Sequence, residues 1–215
     1  MPQPDALPTA DLLAGLLQRS PLIWRGGETS RPKTRPTGFP PLDERLPGEG
    51  WPVGALIEIA PSCEGLGELS LALPLLHGLC REGRPVVLVS PPHIPYAPAL
   101  VRAGLPLNSI VWVDAREDED ARWSAEQVLR GGHAGAVLLW SRTEDERSLR
   151  RLQLAAETGG AIAFMFRPPS TLHRPSPAAL RVALYPAENG TCAELVKVRG
   201  GHASKVTLSL LPAFT

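Results

Sequence analysis

Residues 62–69, Ser-Cys-Glu-Gly-Leu-Gly-Glu-Leu, follow an apolar run at Ala55–Ile59 and lead into an apolar helical pattern from about Gly67 to Arg81. Strand, glycine-bearing turn and helix, in that order, make the frame of a phosphate-binding loop. In a working loop, backbone N–H groups and a helix N-terminus cradle a polyphosphate. A lysine neutralises its outer oxygens, and a hydroxyl holds Mg²⁺. Here the lysine position holds Glu68, the hydroxyl position holds Leu69, and the first glycine is replaced by Ser62. Two like charges about 4 Å apart repel by about 1 kcal/mol in water and about 4 kcal/mol at an effective dielectric near 20. Ser62, Cys63, Glu64, Gly65, Leu66, Gly67, Glu68 and Leu69 therefore read as a degenerate phosphate loop. No cofactor is expected there, and ATP with magnesium is disfavoured.

The rest of a hydrolytic site is missing from the pattern as well. The strand whose tip would carry a magnesium-holding aspartate ends in Trp140 and Ser141. Asp114, at the end of a neighbouring strand, reads as a loop or capping residue. Pro91, Pro92 and His93 stand where a catalytic glutamate would follow the second strand. His77, His93, His133, His173 and His202 show no metal-ligand spacing. Cys63, Cys80 and Cys192 are odd in number and far apart, which excludes a zinc cluster or disulfide framework and suits a reducing cytoplasm. The chain reads as a non-enzyme without a metal.

The elements that would position these residues alternate. Strands are predicted at Ala55–Ile59, Val86–Val89, Ser109–Val113, Ala134–Trp140 and Ala161–Phe166. Helices are predicted at Leu42–Leu46, about Gly67–Arg81, Ala97–Ala103, Glu117–Arg130 and Glu144–Thr158. Acidic side chains opening the fourth of these helices complement its dipole, and paired glycines close the last two. Such alternation predicts an α/β fold with a mostly parallel sheet flanked by helices. Strands at Leu180–Tyr185, Ala193–Val198 and Val206–Leu210 have no helices between them, so the C-terminal segment should add antiparallel strands at one edge.

Two regions follow from this: residues 1–36, with an amphipathic helix at Thr9–Arg19 and a basic, proline-rich linker, and a core domain at 37–215. The 215 residues carry zero formal net charge, which argues against binding nucleic acid through a broad electrostatic field. No run reaches the length of a membrane span, and no secretory leader opens the chain. A cytoplasmic location is expected.

Residues 37–59, TGFPPLDERLPGEGWPVGALIEI, resemble the entry to a RecA-type core through Thr37, Gly38, Leu42, Asp43, Gly48, Gly50, Gly54, Glu58 and Ile59. Together with PPHIPYAPAL (91–100), WSAEQVLR (123–130), RRLQLAAE (150–157), SPAALR (176–181) and KVRGG (197–201), the chain resembles the ImuA family of RecA/SulA-like accessory proteins. That resemblance implies a RecA-like core and a role as a non-catalytic adaptor in SOS-induced, error-prone translesion DNA synthesis. The implied partners are an ImuB-like Y-family polymerase homologue and an error-prone DNA polymerase III alpha-type subunit, with RecA and DNA as further contacts. A divergent repair ATPase and a SulA-like cell-division inhibitor are the alternatives. The inhibitor would require a complex with the division GTPase and filamentation on overexpression.

Five basic residues are candidate DNA or partner contacts. Arg150 and Arg151 lie mid-helix beside Leu149, Leu152 and Leu154, where snorkelling or ion pairing competes with a surface role. Lys197, Arg199 and Lys205 fall on or between the last two strands, where they either guard an edge or touch phosphates.

Overall fold

A computed structural model describes residues 33–142 and 145–210, which belong to one compact unit, Pro32–Thr215. The predicted N-terminal helix and the proline-rich linker up to residue 32 lie outside the described residues. The fold already includes Thr34–Arg35 (β1), which pairs antiparallel with Trp51–Pro52 (β2). Arg35 also makes two hydrogen bonds, of 2.6 and 2.7 Å, to the Glu82 carboxylate. The end of the expected linker is thus part of the fold. A short helix, Pro40–Asp43 (α1), lies between these strands, with Thr37 N–H donating to the Asp43 carboxylate at 2.9 Å.

The main sheet begins at Ala55–Pro61 (β3). Next come Leu73–Arg81 (α2), Val86–Val89 (β4), Ala97–Arg102 (α3) and Ile110–Val113 (β5). Asp118–Gly131 (α4), Ala136–Trp140 (β6), Glu146–Gly159 (α5) and Ile162–Phe166 (β7) complete the alternating part. A 3-10 turn at Pro169–His173 leads to Leu180–Ala187 (β8), Gly190–Val198 (β9) and Ser204–Leu208 (β10). The eight strands stand in the order β10-β9-β8-β3-β7-β6-β4-β5. The six from β8 to β5 run parallel, and β9 and β10 are antiparallel additions beside β8. The predicted mixed architecture, with its antiparallel C-terminal edge, is what the chain adopts.

Helices cover both faces, which is why the inner strands read as continuous apolar runs. On one face, Leu75, Leu76 and Leu79 of α2 and Leu100 of α3 pack with Ile57, Ile59, Leu88 and Phe164. Trp51 closes this layer edge-on against Phe164, with ring centroids 5.3 Å apart. On the other face, Ala121, Ala125 and Leu129 of α4 and Leu149, Leu152 and Ala156 of α5 pack on Leu56, Val87, Val89, Val137 and Met165. Successive β3 residues thus serve opposite layers, as a strand's period of two demands.

Local signals place the long helices. Asp145 caps α5 by accepting from the Arg147 and Ser148 N–H groups, both at 3.1 Å. Hydrogen bonds from the Ser148 hydroxyl and the Arg147 backbone hold its carboxyl below the usual aspartate range. Gly160 ends the helix at a left-handed φ of 63°, and the preceding Gly159 has no room for a side chain: a Cβ there would lie 1.8 Å from the Leu129 carbonyl oxygen. Gln153 ties α5 to the sheet, its side-chain oxygen accepting from Leu56 N–H at 2.9 Å.

Candidate functional site

The degenerate loop leaves β3 at the C-terminal end of the parallel strands, where open α/β sheets bind ligands. Ser62 N–H donates back to the Leu184 carbonyl of β8 at 2.9 Å. Gly65 and Gly67 take positive φ angles of 80° and 85°. The helix expected from Gly67 begins only at Leu73, with a proline in its first turn and no side-chain cap. Between them the chain makes successive turns, the first closed by Leu71 N–H on the Gly67 carbonyl at 3.0 Å. The helix N-terminus is therefore set back from the loop, and the sequence pattern missed this because residues 67–72 keep helical apolar spacing.

The C-terminal segment occupies the side of the loop where close approach is possible. A Cβ on Gly67 would meet the Leu210 Cβ at 2.8 Å, and the Thr191 hydroxyl donates to the Leu66 carbonyl at 2.9 Å. Leu66, Leu69 and Leu73 pack against the core. Leu69, where a phosphate loop was expected to need a hydroxyl, is thus part of the apolar packing. Glu68 places a carboxylate oxygen out of contact with solvent and without a hydrogen-bond partner. The residues present do not fit a triphosphate and its magnesium: the cation is reversed, the hydroxyl is replaced, and the glycine face is packed.

A cleft of about 610 Å³ lies over the strand ends, lined among others by Glu68, Ser90, Glu117, Trp140, Ser141 and Arg167. Trp140 stacks on Phe166, with centroids 4.6 Å apart and planes 18° from parallel. Ser90 is held at a φ of 48°, rare for a residue with a side chain, while its hydroxyl bridges the Ala115 carbonyl and N–H at 3.1 and 3.3 Å. Those bonds fasten the end of β4 to the chain leaving β5. Among the described residues, no group of three or more histidine, cysteine or acidic side chains is arranged to hold a metal. The three cysteines are unbridged, and burial pushes the Cys80 thiol up, against a smaller opposing pull from Ser109.

A cluster of buried charge lies on β3 and β8 and just after β7. Glu58 is 1% exposed. One of its oxygens accepts from Arg167 at 2.9 Å and from the Ser176 hydroxyl at 2.5 Å, and the other accepts from Arg181 Nε at 2.8 Å. Arg181 also donates to the carbonyls of Thr171, Leu172 and Arg174. The cluster fixes the register of β8 on β3, where Glu58 and Arg181 are directly paired, and anchors the 3-10 turn. In the sequence, Glu58 stands out only as part of the family pattern at residues 37–59. The available signal was a single carboxylate inside ALIEIAP together with arginines at or beside two other apolar strands.

Of the five basic candidates, Arg150 and Arg151 lie on α5, and Lys197, Arg199 and Lys205 on or beside β9 and β10. Arg151 reaches buried Glu126 of α4 at 2.6 Å, which Arg130 also binds at 2.7 Å. Arg150 is exposed on the same helix. Lys197 donates to the Ser176 carbonyl at 2.6 Å; burial, with Arg199 and Arg181 nearby, lowers its ammonium pKa. Arg199 meets the Pro177 carbonyl and Glu157, and Lys205 pairs with Glu194 at 3.3 Å.

Large apolar side chains are exposed at the opposite end of the sheet. Ile94, Tyr96, Val101, Leu107, Val111, Trp112 and Trp123 are exposed on or around β5, α3 and the start of α4. The edge position of β5 was not legible without knowing the strand order.

Residues 60–163 match the family model described as cell division inhibitor SulA. The chain is 33% identical over 98 residues to the cell division inhibitor SulA of Photorhabdus laumondii, covering 46% of this chain and 55% of that protein. The SulA of Yersinia pestis (strain Pestoides F) is 34% identical over 100 residues, 46% of this chain and 58% of that protein. The chain spans little more than half the length of these curated relatives. A crystal structure of SulA from Pseudomonas aeruginosa is 25% identical, covering 52% of this chain and 97% of that one, with a TM-score of 0.45.

These matches overturn the resemblance to the ImuA family. The translesion-adaptor role falls with it, as do the ImuB-like, polymerase III alpha-type and RecA partners. Repair and mutagenesis have no remaining support. The reason lies in where the cues were read: PPHIPYAPAL, WSAEQVLR and RRLQLAAE all fall within the segment matched to SulA. Short strand-and-helix cues of that kind record a shared scaffold and do not separate its users.

Proposed function

We propose that this chain is a non-catalytic inhibitor of cell division, produced under DNA damage as part of the SOS response, that acts in the cytoplasm by binding a protein of the division machinery. The observation that carries this reading is a coincidence of position. The segment matched to the division-inhibitor family, residues 60–163, contains Ile94, Tyr96, Val101, Leu107, Val111, Trp112 and Trp123, the exposed apolar side chains around β5. Large apolar side chains left exposed around one sheet edge favour an interaction role there. Aromatic side chains such as Tyr96, Trp112 and Trp123 are the types enriched there.

The altered loop supports a binding function without turnover. Glu68 and Leu69 stand where a nucleotide site needs a cation and a hydroxyl, and no carboxylate stands at the tip of β6. The strand order, with β3 central and its glycine loop at the C-terminal edge, supports a RecA-like core that has kept its scaffold and lost its ligand. Among the described residues, no helix is long and apolar enough to cross a membrane.

Induced expression of the full chain in dividing bacteria tests the proposal. Filamentation is expected, together with co-purification of the division GTPase. Cells that divide normally while accumulating soluble, folded protein would refute it. The loop reading makes a separate demand: filamentation should persist in Glu68→Gln and Glu68→Ala variants, because no nucleotide step depends on that side chain.

A further inference from the structure

Among the described residues, β5 pairs on one side only, with β4, so its outer row of backbone N–H and C=O groups has no strand partner. An unpaired row of this kind is a template for another strand, and proteins commonly protect it with lysine, proline, a bulge or a covering element. The four residues Ile-Val-Trp-Val contain none of those side chains. Ile110 packs with the layer under α2 and α3, and Val113 with the layer under α4 and α5. By alternation, Trp112 and Val111 stand on opposite faces, 46% and 49% exposed. Both faces at this edge are therefore open to a partner's side chains.

Charge indicates the partner's chemistry. The chain leaving β5 carries Asp114, Glu117, Glu119 and Asp120, all exposed, against a single exposed Arg116. Asp118 is already bound to Arg122. This acidic group borders the C-terminal end of the edge strand.

We infer that β5 receives an extended segment of a partner protein as an added strand, apolar at alternate positions and carrying a basic residue where it meets the start of α4. Backbone hydrogen bonds would supply the affinity, and the exposed side chains of Val111 and Trp112 the selectivity. The inference rests on the reading as a division inhibitor and specifies how that inhibitor takes hold.

Hydrogen–deuterium exchange on the full chain, alone and with the purified division GTPase, tests it. The amides of residues 110–113 that are not bonded to β4 should exchange freely alone and become protected in the complex. Trp112→Lys, a charge placed on the open edge, should weaken capture at least tenfold. Leu154→Lys, on an exposed apolar position of α5, should leave it unchanged. Charge reversal at Glu117 and Glu119 should weaken capture on the order of tenfold, in line with rim electrostatics, and added salt should have the same effect. Capture without protection of 110–113 would overturn strand addition and leave the inhibitor reading intact. Protection already present in the chain alone would show the edge covered by the molecule itself or by a second copy, and would also overturn it. Absence of both capture and filamentation would remove the reading on which the inference stands.

Discussion

At one edge of the sheet, β10 carries Lys205 paired with Glu194, and the chain buries Leu208 and then Leu210 as it passes over the glycine loop. At the other edge, β5 offers four uncharged residues with Val111 and Trp112 half exposed. The first edge lies outside the segment matched to division inhibitors, and the second lies inside it. A charged guard and a covering segment are usual for an edge that must remain single. Their absence at β5 is what the inferred strand addition requires, while the C-terminal strands pack into the interior.

The strongest way to break the finished side is to remove its central anion. Glu58→Gln leaves Arg167 and Arg181 buried without their counter-charge, and should cost about 3–5 kcal/mol in chemical denaturation. A loss below about 1 kcal/mol, the scale of an exposed pair, would show that the cluster is solvated and does not hold β8 in register.

Gly67→Ala should have the next largest effect. The new methyl must adopt a φ near 85° and press on Leu210 at 2.8 Å, so a loss of about 1–3 kcal/mol is expected. Labelled ATP should bind neither this variant nor the unaltered chain at micromolar concentration. Magnesium-dependent binding to the unaltered chain, lost in the variant, would return the loop to nucleotide chemistry.

Trp112→Lys sharpens the contrast by having almost no structural effect. At an open edge it should alter stability by no more than about 0.5 kcal/mol while abolishing filamentation. A large drop in stability would mean that Trp112 is packed in the native chain and the edge is not open.

The smallest expected effect is a pH response on the finished side. Lys197 has its pKa lowered by burial first, then by Arg199 and Arg181. Between that lowered value and the unfolded value near 10.4, the unfolded chain binds more protons, so stability should rise with pH. The rise is fully present above the unfolded value and is lost as pH falls through the folded one. Comparing denaturation curves of the unaltered chain and Lys197→Met across this alkaline range isolates the contribution. An identical pH response in both would exclude it.

The elements were legible where a periodic signal had a local stop. Val86–Val89 matches to the residue. Gly132 and Gly160 close α4 and α5 with left-handed φ angles of 70° and 63°. The antiparallel character of β9 and β10 followed from the lack of intervening helices. The β1–β2 pair was missed because two-residue strands carry no period. The start of α2 was misplaced because apolar spacing continues through turns. At the site, the replacement of lysine and hydroxyl could be read from single letters, but the packing of Leu210 on Gly67 could not, since it joins residues remote in sequence. The Glu58 cluster stayed hidden for the same reason. Family assignment failed differently: the segments relied on describe a scaffold, and the SulA match covers three of them, 91–100, 123–130 and 150–157.

The central position of β3 has a consequence for synthesis on the ribosome. Both of its neighbours, β7 and β8, come from far along the chain, and Glu58 meets arginines 109 and 123 residues later. Leu56, Ile57 and Ile59 therefore emerge long before anything can cover them in their native arrangement. Contacts of such long range close slowly, and exposed apolar strands invite misassembly meanwhile. Nascent chains halted before residue 162 should accordingly depend on chaperones, and release from them should follow once β8 has been translated.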